Sequence, residues 1–149
     1  LHDGYQRINP WLNNESRSTV PHTVLHTFSH LLIKEFALIS GFSLGSIRER
    51  LYLEMDEHRV QSAGILLYTS GASSDGTLGG LVQQGASVER MEQVIAGALE
   101  RRMECSNDPV CKEHAPLSGE PNGAACHTCV ILPETSCECR NHMLDRVWY

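Results

Sequence analysis

The sequence predicts a mixed α/β fold, a small sheet packed by two long amphipathic helices and followed by a C-terminal lobe stapled through cysteine. Three observations predict it. Apolar residues recur at three- and four-residue steps over 21–40 and again over 87–103. Two short apolar runs, 51–55 and 63–69, lie between those stretches. All six cysteines fall between Cys105 and Cys139.

Residues 1–20 are polar and irregular, with Asn9-Pro10 and Asn13-Asn14-Glu15-Ser16, and read as a linker or N-terminal arm anchored by Trp11 and Leu12. Pro21 opens the first helix, where its missing N–H has no intrahelical partner to lose. Leu25, Phe28, Leu31, Leu32, Phe36 and Ile39 share one face, and Gly41 stands at the C′ position. A shorter helical segment is expected over Ser43–Arg50. Leu51–Met55 reads as a strand and Asp56–Gln61 as a polar connection. The unbroken run Ala63–Thr69 predicts a strand buried on both faces. Ser70–Gly80 is a glycine- and serine-rich loop. Ser87 is the N-cap of the second long helix, whose stripe is Val88, Met91, Val94, Ile95, Ala98 and Leu99. Pro109, Pro116, Pro121 and Gly123 interrupt the chain beyond that helix. A short closing helix is expected after Ser136, with Met143, Leu144 and Val147 facing inward. No repeat divides the chain, so 21–149 reads as one domain.

The 149 residues, 41% apolar and 20% charged, suit one soluble globular domain with its own core. Net charge is −6, from 12 basic and 18 acidic residues, which argues against nucleic-acid binding by bulk electrostatics. Arg101-Arg102 and Arg140 read as a solvated face. No apolar run approaches the ~20 residues needed to cross a bilayer, so no membrane partner is expected. The chain starts at Leu1 and shows no signal peptide, and it is expected to be a piece of a longer protein.

The cysteines carry the strongest chemical signal. Their spacing is C-x5-C-x14-C-x2-C-x7-C-x1-C, and Cys126-His127-Thr128-Cys129 is a knuckle that turns both sulfurs the same way. Three disulfides would suit a shorter secreted chain with cysteines spread along it. A tetrahedral zinc ion in a reducing, cytoplasmic setting suits this pattern better. We assign Cys105, Cys111, Cys126 and Cys129 as the ligands, with Cys137 in reserve, Cys139 on the surface, and His114 and His127 as further donors. Four thiolates close the coordination shell, so this zinc is a staple and not a reaction centre.

Other groups of residues have quieter readings. His22, His26 and His30 are spaced four apart on the first helix, a spacing capable of metal binding. The favoured reading sets His26 and His30 at the core edge, bonded to a carbonyl or to Glu35. Asp75-Gly76-Thr77-Leu78-Gly79-Gly80 lacks a P-loop lysine and reads as a tight turn in preference to a phosphate site. Glu134-Thr135-Ser136-Cys137-Glu138 has no histidine placed as a base, so it reads as a helix cap with Thr135 or Ser136 at its start.

Several of these segments, in this order, resemble a known family. They are His26-Thr27-Phe28-Ser29-His30-Leu31-Leu32, Gly64-Ile65-Leu66-Leu67-Tyr68, Asp75–Leu81, Cys105 with Asp108-Pro109-Val110-Cys111, Ala124–Cys129, Glu134–Glu138 and Asn141–Arg146. The set resembles the zinc-binding C-terminal domain shared by MrfA-type DNA-repair helicases and by DrmB, the helicase-associated component of the DISARM anti-phage system. Ala124-Ala125-Cys126-His127-Thr128-Cys129 and Glu134-Thr135-Ser136-Cys137-Glu138 lie closer to the DrmB wording. The resemblance spans about Val20 to Arg146 and implies one zinc on the same four cysteines, beside a superfamily-2 helicase motor. No ATP-binding motif is present, so the resemblance implies a non-catalytic module that docks on the motor domain or subunit and helps position DNA. Cys139 is not part of that pattern. The alternative, from a different class, is a metal-dependent hydrolase or nuclease using His26, His30 and Asp75.

Overall fold

The computed structural model describes residues 20–57, 59–69, 80–114 and 122–147. The expected N-terminal arm, apart from Val20, and the loop residues Ser70–Gly79 lie outside the described residues.

Helix α1 spans Val20–Ser40, as the periodicity predicts. It stops where Gly41 takes a φ of 71° and returns its N–H to the Ala37 carbonyl at 2.9 Å, a left-handed turn that glycine adopts without a Cβ penalty. Leu31, Leu32, Ile33, Phe36 and Ala37 enter the core, while His22, Thr23, His26, Thr27, Ser29 and His30 are buried as well. The helix is therefore enclosed on far more than one stripe. Ile39, expected inside, is exposed together with Leu38.

The helical segment expected over Ser43–Arg50 is absent. Leu44–Ser46 make a single 3₁₀ turn, and strand β1 runs Ile47–Asp56. Ile47 and Glu49 are buried while Arg48 and Arg50 are exposed, so the period there is two. A carboxylate at an inward position hides that period in the sequence. Strand β2, Arg59–Thr69, pairs antiparallel with β1 from Ile47↔Thr69 to Asp56↔Arg59, with a register shift between Glu54 and Met55. The polar connection expected over 56–61 contracts to a tight turn, in which Glu57 takes a φ of 41°.

The apolar run of β2 predicts burial on both faces, but Leu66 is 49% and Tyr68 42% exposed. The reason is topological: among the described residues the sheet has two strands, and it packs one face on the core. Directly paired residues share a face. The outer face thus carries Arg48, Arg50, Tyr52, Leu66 and Tyr68, and the inner face carries Glu49, Leu51, Ile65 and Leu67.

A short helix α2, Gly80–Gln84, precedes α3, Val88–Arg101. Ser87 Oγ accepts the Arg90 N–H at 3.2 Å, a cap that contributes about 1 kcal/mol. α3 buries Val94 and Ala98 against the core, whereas Val88, Ile95 and Leu99 of the expected stripe are exposed. Gly97 lets the Glu35 carboxylate lie directly on α3, where a Cβ would collide with it, and Glu35 pairs with Arg101.

Beyond α3 the described residues form turns, without helix or strand. The closing helix expected after Ser136 is not formed. Arg140, Asn141 and Met143 take φ values of 53°, 58° and 63°, incompatible with a right-handed helix. Ser136 Oγ donates to the Leu44 carbonyl at 2.6 Å instead of capping. Met143 and Leu144 are nonetheless buried, as expected.

Candidate metal centres

The end of α3 delivers Cys105, the following turn brings Cys111, and the knuckle contributes Cys126 and Cys129. The four Sγ atoms lie within 4.8 Å of one another. The separations are 3.5 Å for Cys105–Cys126, 3.7 Å for Cys111–Cys129 and 3.6 Å for Cys126–Cys129. A tetrahedron with metal–sulfur bonds of ~2.3 Å has edges of about 3.8 Å. A disulfide would need ~2.05 Å, and none of the six cysteines is disulfide-bonded.

Backbone amides are aimed at the sulfurs. The Asn107 N–H points to Cys105 Sγ at 3.4 Å and the Cys126 N–H to Cys129 Sγ at 3.2 Å. The Asn107 side-chain amide reaches Cys126 Sγ at 3.4 Å. Burial pushes the Cys111 and Cys129 thiols up. Burial opposes the Cys126 thiolate too, but hydrogen bonds through the Cys129 backbone, Asn107 and Cys105 prevail and bring its pKa to about 6. Four thiolates this close do not ionise together without a cation among them.

Two basic side chains flank the cluster. Lys34 Nζ donates to the carbonyls of His127 at 3.1 Å and Thr128 at 3.3 Å, fixing the knuckle to α1. Arg146 is buried, pairs with Asp108 and donates to the Arg102 carbonyl at 2.8 Å. Asp108 in turn accepts the Cys105 N–H at 3.1 Å. Both cations offset the negative charge of a thiolate cluster.

The chain matches the MrfA Zn-binding domain family over residues 28–130. It belongs to that family. The four clustered cysteines all lie inside the match, and the family and the sulfur geometry agree on zinc as the bound ion. The chain is also 44% identical over 128 residues to the DISARM protein DrmB of Bacillus paralicheniformis. That alignment covers 85% of this chain and 22% of the relative, so the chain spans about a fifth of the relative's length. Membership and the DISARM relative bear out the resemblance read from the motifs, and they support a zinc-binding role connected with defence.

The remaining expected site residues fall elsewhere. Asp75 and its loop through Gly79 lie outside the described residues. His114 and His127 are exposed. Cys139 is half-buried instead of lying on the surface. Cys137, the reserve ligand, stands apart from the four and joins His26 and His30 in a second cluster with Glu49, all four buried. His30 does bond a carbonyl, that of Val130 at 2.8 Å, but the acid beside the histidines is Glu49 and not Glu35. Sequence reasoning missed Glu49. Ile47, Glu49 and Leu51 share the inward face of β1, but the carboxylate among them masks that period in the sequence.

Burial lowers the His26 pKa, keeping the imidazole neutral. Burial raises the Glu49 pKa, yet hydrogen bonds to His26 and His30 hold it well below the usual carboxylate range.

Among the described residues no helix is long and apolar enough to cross a membrane.

Proposed function

We propose that this chain is a non-catalytic zinc module of a cytoplasmic, helicase-associated protein of anti-phage defence or DNA repair, with Cys105, Cys111, Cys126 and Cys129 holding the ion. The observation that carries the proposal is the closed set of four sulfurs, which offers no open position for water or substrate. A structural zinc contributes on the order of 10 kcal/mol to folding, enough to organise a lobe whose described residues form turns without helix or strand. The module serves as a docking surface for the helicase motor and helps to position DNA. The outer face of the hairpin supports docking, since Tyr52, Leu66 and Tyr68 are exposed there on the same face as Arg48 and Arg50. Aromatic residues and arginine are enriched at protein interfaces. The acidic balance makes the DNA role one exercised through the complex.

The hydrolase alternative has weaker support, because His26 and His30 are fully buried and a reaction centre needs access. Co-purification of the full-length protein with its helicase partner tests docking. Tyr52→Ser with Tyr68→Ser is expected to weaken association at least tenfold, and unchanged association overturns the assigned surface. A mobility-shift titration across salt tests DNA: binding by the isolated protein that is strong and salt-steep would contradict a role through the complex.

A further inference from the structure

We propose that His26, His30, Glu49 and Cys137 form a second zinc site, a closed staple fastening α1 to β1 and to the C-terminal turn. Three separations have the right scale. His26 Nε2 lies 3.0 Å from Glu49 Oε1 and 3.2 Å from Cys137 Sγ, and His30 Nε2 lies 3.3 Å from Glu49 Oε1. Tetrahedral zinc with bonds of ~2.0–2.1 Å to nitrogen and oxygen sets neighbouring ligands about 3.3 Å apart. One ligand atom from each of the four residues lies within 4.8 Å of the others.

The Val130 carbonyl only accepts, so His30 Nδ1 carries the hydrogen that bonds it. In the neutral ring Nε2 is then a bare lone pair, and it faces a carboxylate oxygen. His26 Nδ1 is buried without a hydrogen-bond partner, and its Nε2 lies between Glu49 Oε1 and Cys137 Sγ. Cys137 Sγ already receives the N–H groups of Cys139 at 3.3 Å and Asn141 at 3.1 Å. Ligand atoms from four buried side chains are thus gathered in one place, and Glu49 Oε2 is buried with no hydrogen-bond partner. An unpartnered buried carboxylate oxygen is costly, and a cation held by these four side chains offsets that cost.

The site is also built as the first one is. Amides aim at Cys137 as they aim at Cys105 and Cys129. The backbone supplying the Asn141 amide holds Arg140 and Asn141 in the left-handed region, a conformation that persists only where its surroundings impose it. A carbonyl orients His30, as second-sphere partners do for metal-bound histidine. One thiolate, two imidazoles and one carboxylate suit zinc and exclude the all-oxygen shells of magnesium and calcium. With Glu49 and Cys137 ionised, a divalent ion leaves the buried centre uncharged, whereas the four-cysteine site keeps an excess of negative charge toward Lys34 and Arg146. Complete burial makes this a fastener and not a hydrolytic centre.

The test uses the full-length protein purified without chelator. Elemental analysis is expected to give two zinc ions per folded chain, and zinc X-ray absorption a shell containing imidazole nitrogen beside sulfur. Cys137→Ala is expected to lower the count from two to one and to remove the imidazole signature. Should that variant fail to fold, the wild-type measurement stands alone. One zinc per folded chain with a sulfur-only shell means a hydrogen-bonded cluster only and overturns the proposal, as does a folded Cys137→Ala chain that retains two ions.

Discussion

Among the described residues between Val20 and Arg101, the backbone is paired mainly within helices and a hairpin. From Arg102 onward, among the described residues, it is paired largely through side chains. Asn141 bonds Leu132 twice, Oδ1 accepting its N–H at 3.0 Å and Nδ2 donating to its carbonyl at 2.9 Å. Asn122 accepts from the Leu144 N–H and donates to the Asn141 carbonyl, at 2.9 and 2.8 Å. Asp145 accepts from Ala124 and Val147. Val130, Leu132, Met143 and Leu144 are buried in this lobe as completely as Leu31 and Ile33 are in α1. Dense burial therefore does not require regular secondary structure, provided that side chains and metal replace the missing ladder.

Metal removal probes that contrast most forcefully. A strong chelator, or Cys126→Ser with Cys129→Ser, is expected to remove hydrogen-exchange protection from residues 122–147 before α3 loses its helical signal. The loss is on the order of 10 kcal/mol for one structural zinc. Simultaneous loss of protection in both regions would break the comparison and make the molecule one cooperative unit. A smaller but sharper probe is Asn141→Ala. It strands two buried backbone groups of Leu132 at once, an expected loss of about 2–5 kcal/mol in chemical denaturation. Asn141→Gly removes the same bonds but relieves the left-handed backbone, and it is expected to be the less damaged variant by roughly 1 kcal/mol. Equal losses in the two would mean that the φ of 58° carries no strain.

Legibility in the sequence divides along the same line. Helices α1 and α3, the cap at Ser87 and the strand cores were readable because each rests on a local period or a local bond. The four cysteines were readable from the knuckle and its spacing. The second cluster was not, because its members stand at 26, 30, 49 and 137 and meet only after α1, β1 and the last turn have folded together. The histidine pair showed as a helical spacing, but nothing near it in sequence supplies Glu49 or Cys137. The closing helix failed for a related reason. Ser136 and Glu138 resemble a cap, yet Ser136 bonds Leu44 and Glu138 lies 3.5 Å from Arg50, partners far away in the chain. The outer face of β2 misled because an apolar run cannot tell a strand enclosed by helices from one that leaves a face open.

Ser87→Ala tests the self-sufficient region on its own terms. It removes one local bond at the start of α3 and is expected to cost about 1 kcal/mol of stability. Zinc content should not change, because no clustered residue touches that cap. A fall in bound zinc would show that α3 and the metal lobe are linked more tightly than their different construction suggests.

The least effect on stability is expected on the outer hairpin face. Tyr52→Ser and Tyr68→Ser replace exposed rings on strands whose ladder and core face are already complete, so each should move stability by no more than about 0.5 kcal/mol. Association with the proposed helicase partner is where they should register, because exposed tyrosines beside arginines contribute little to a fold and much to an interface. A thermal melt and a binding titration on the same preparations separate the two. Unchanged melting with weakened association means that this face is built for a partner, whereas a destabilised hairpin with intact association means that the rings hold the strands together.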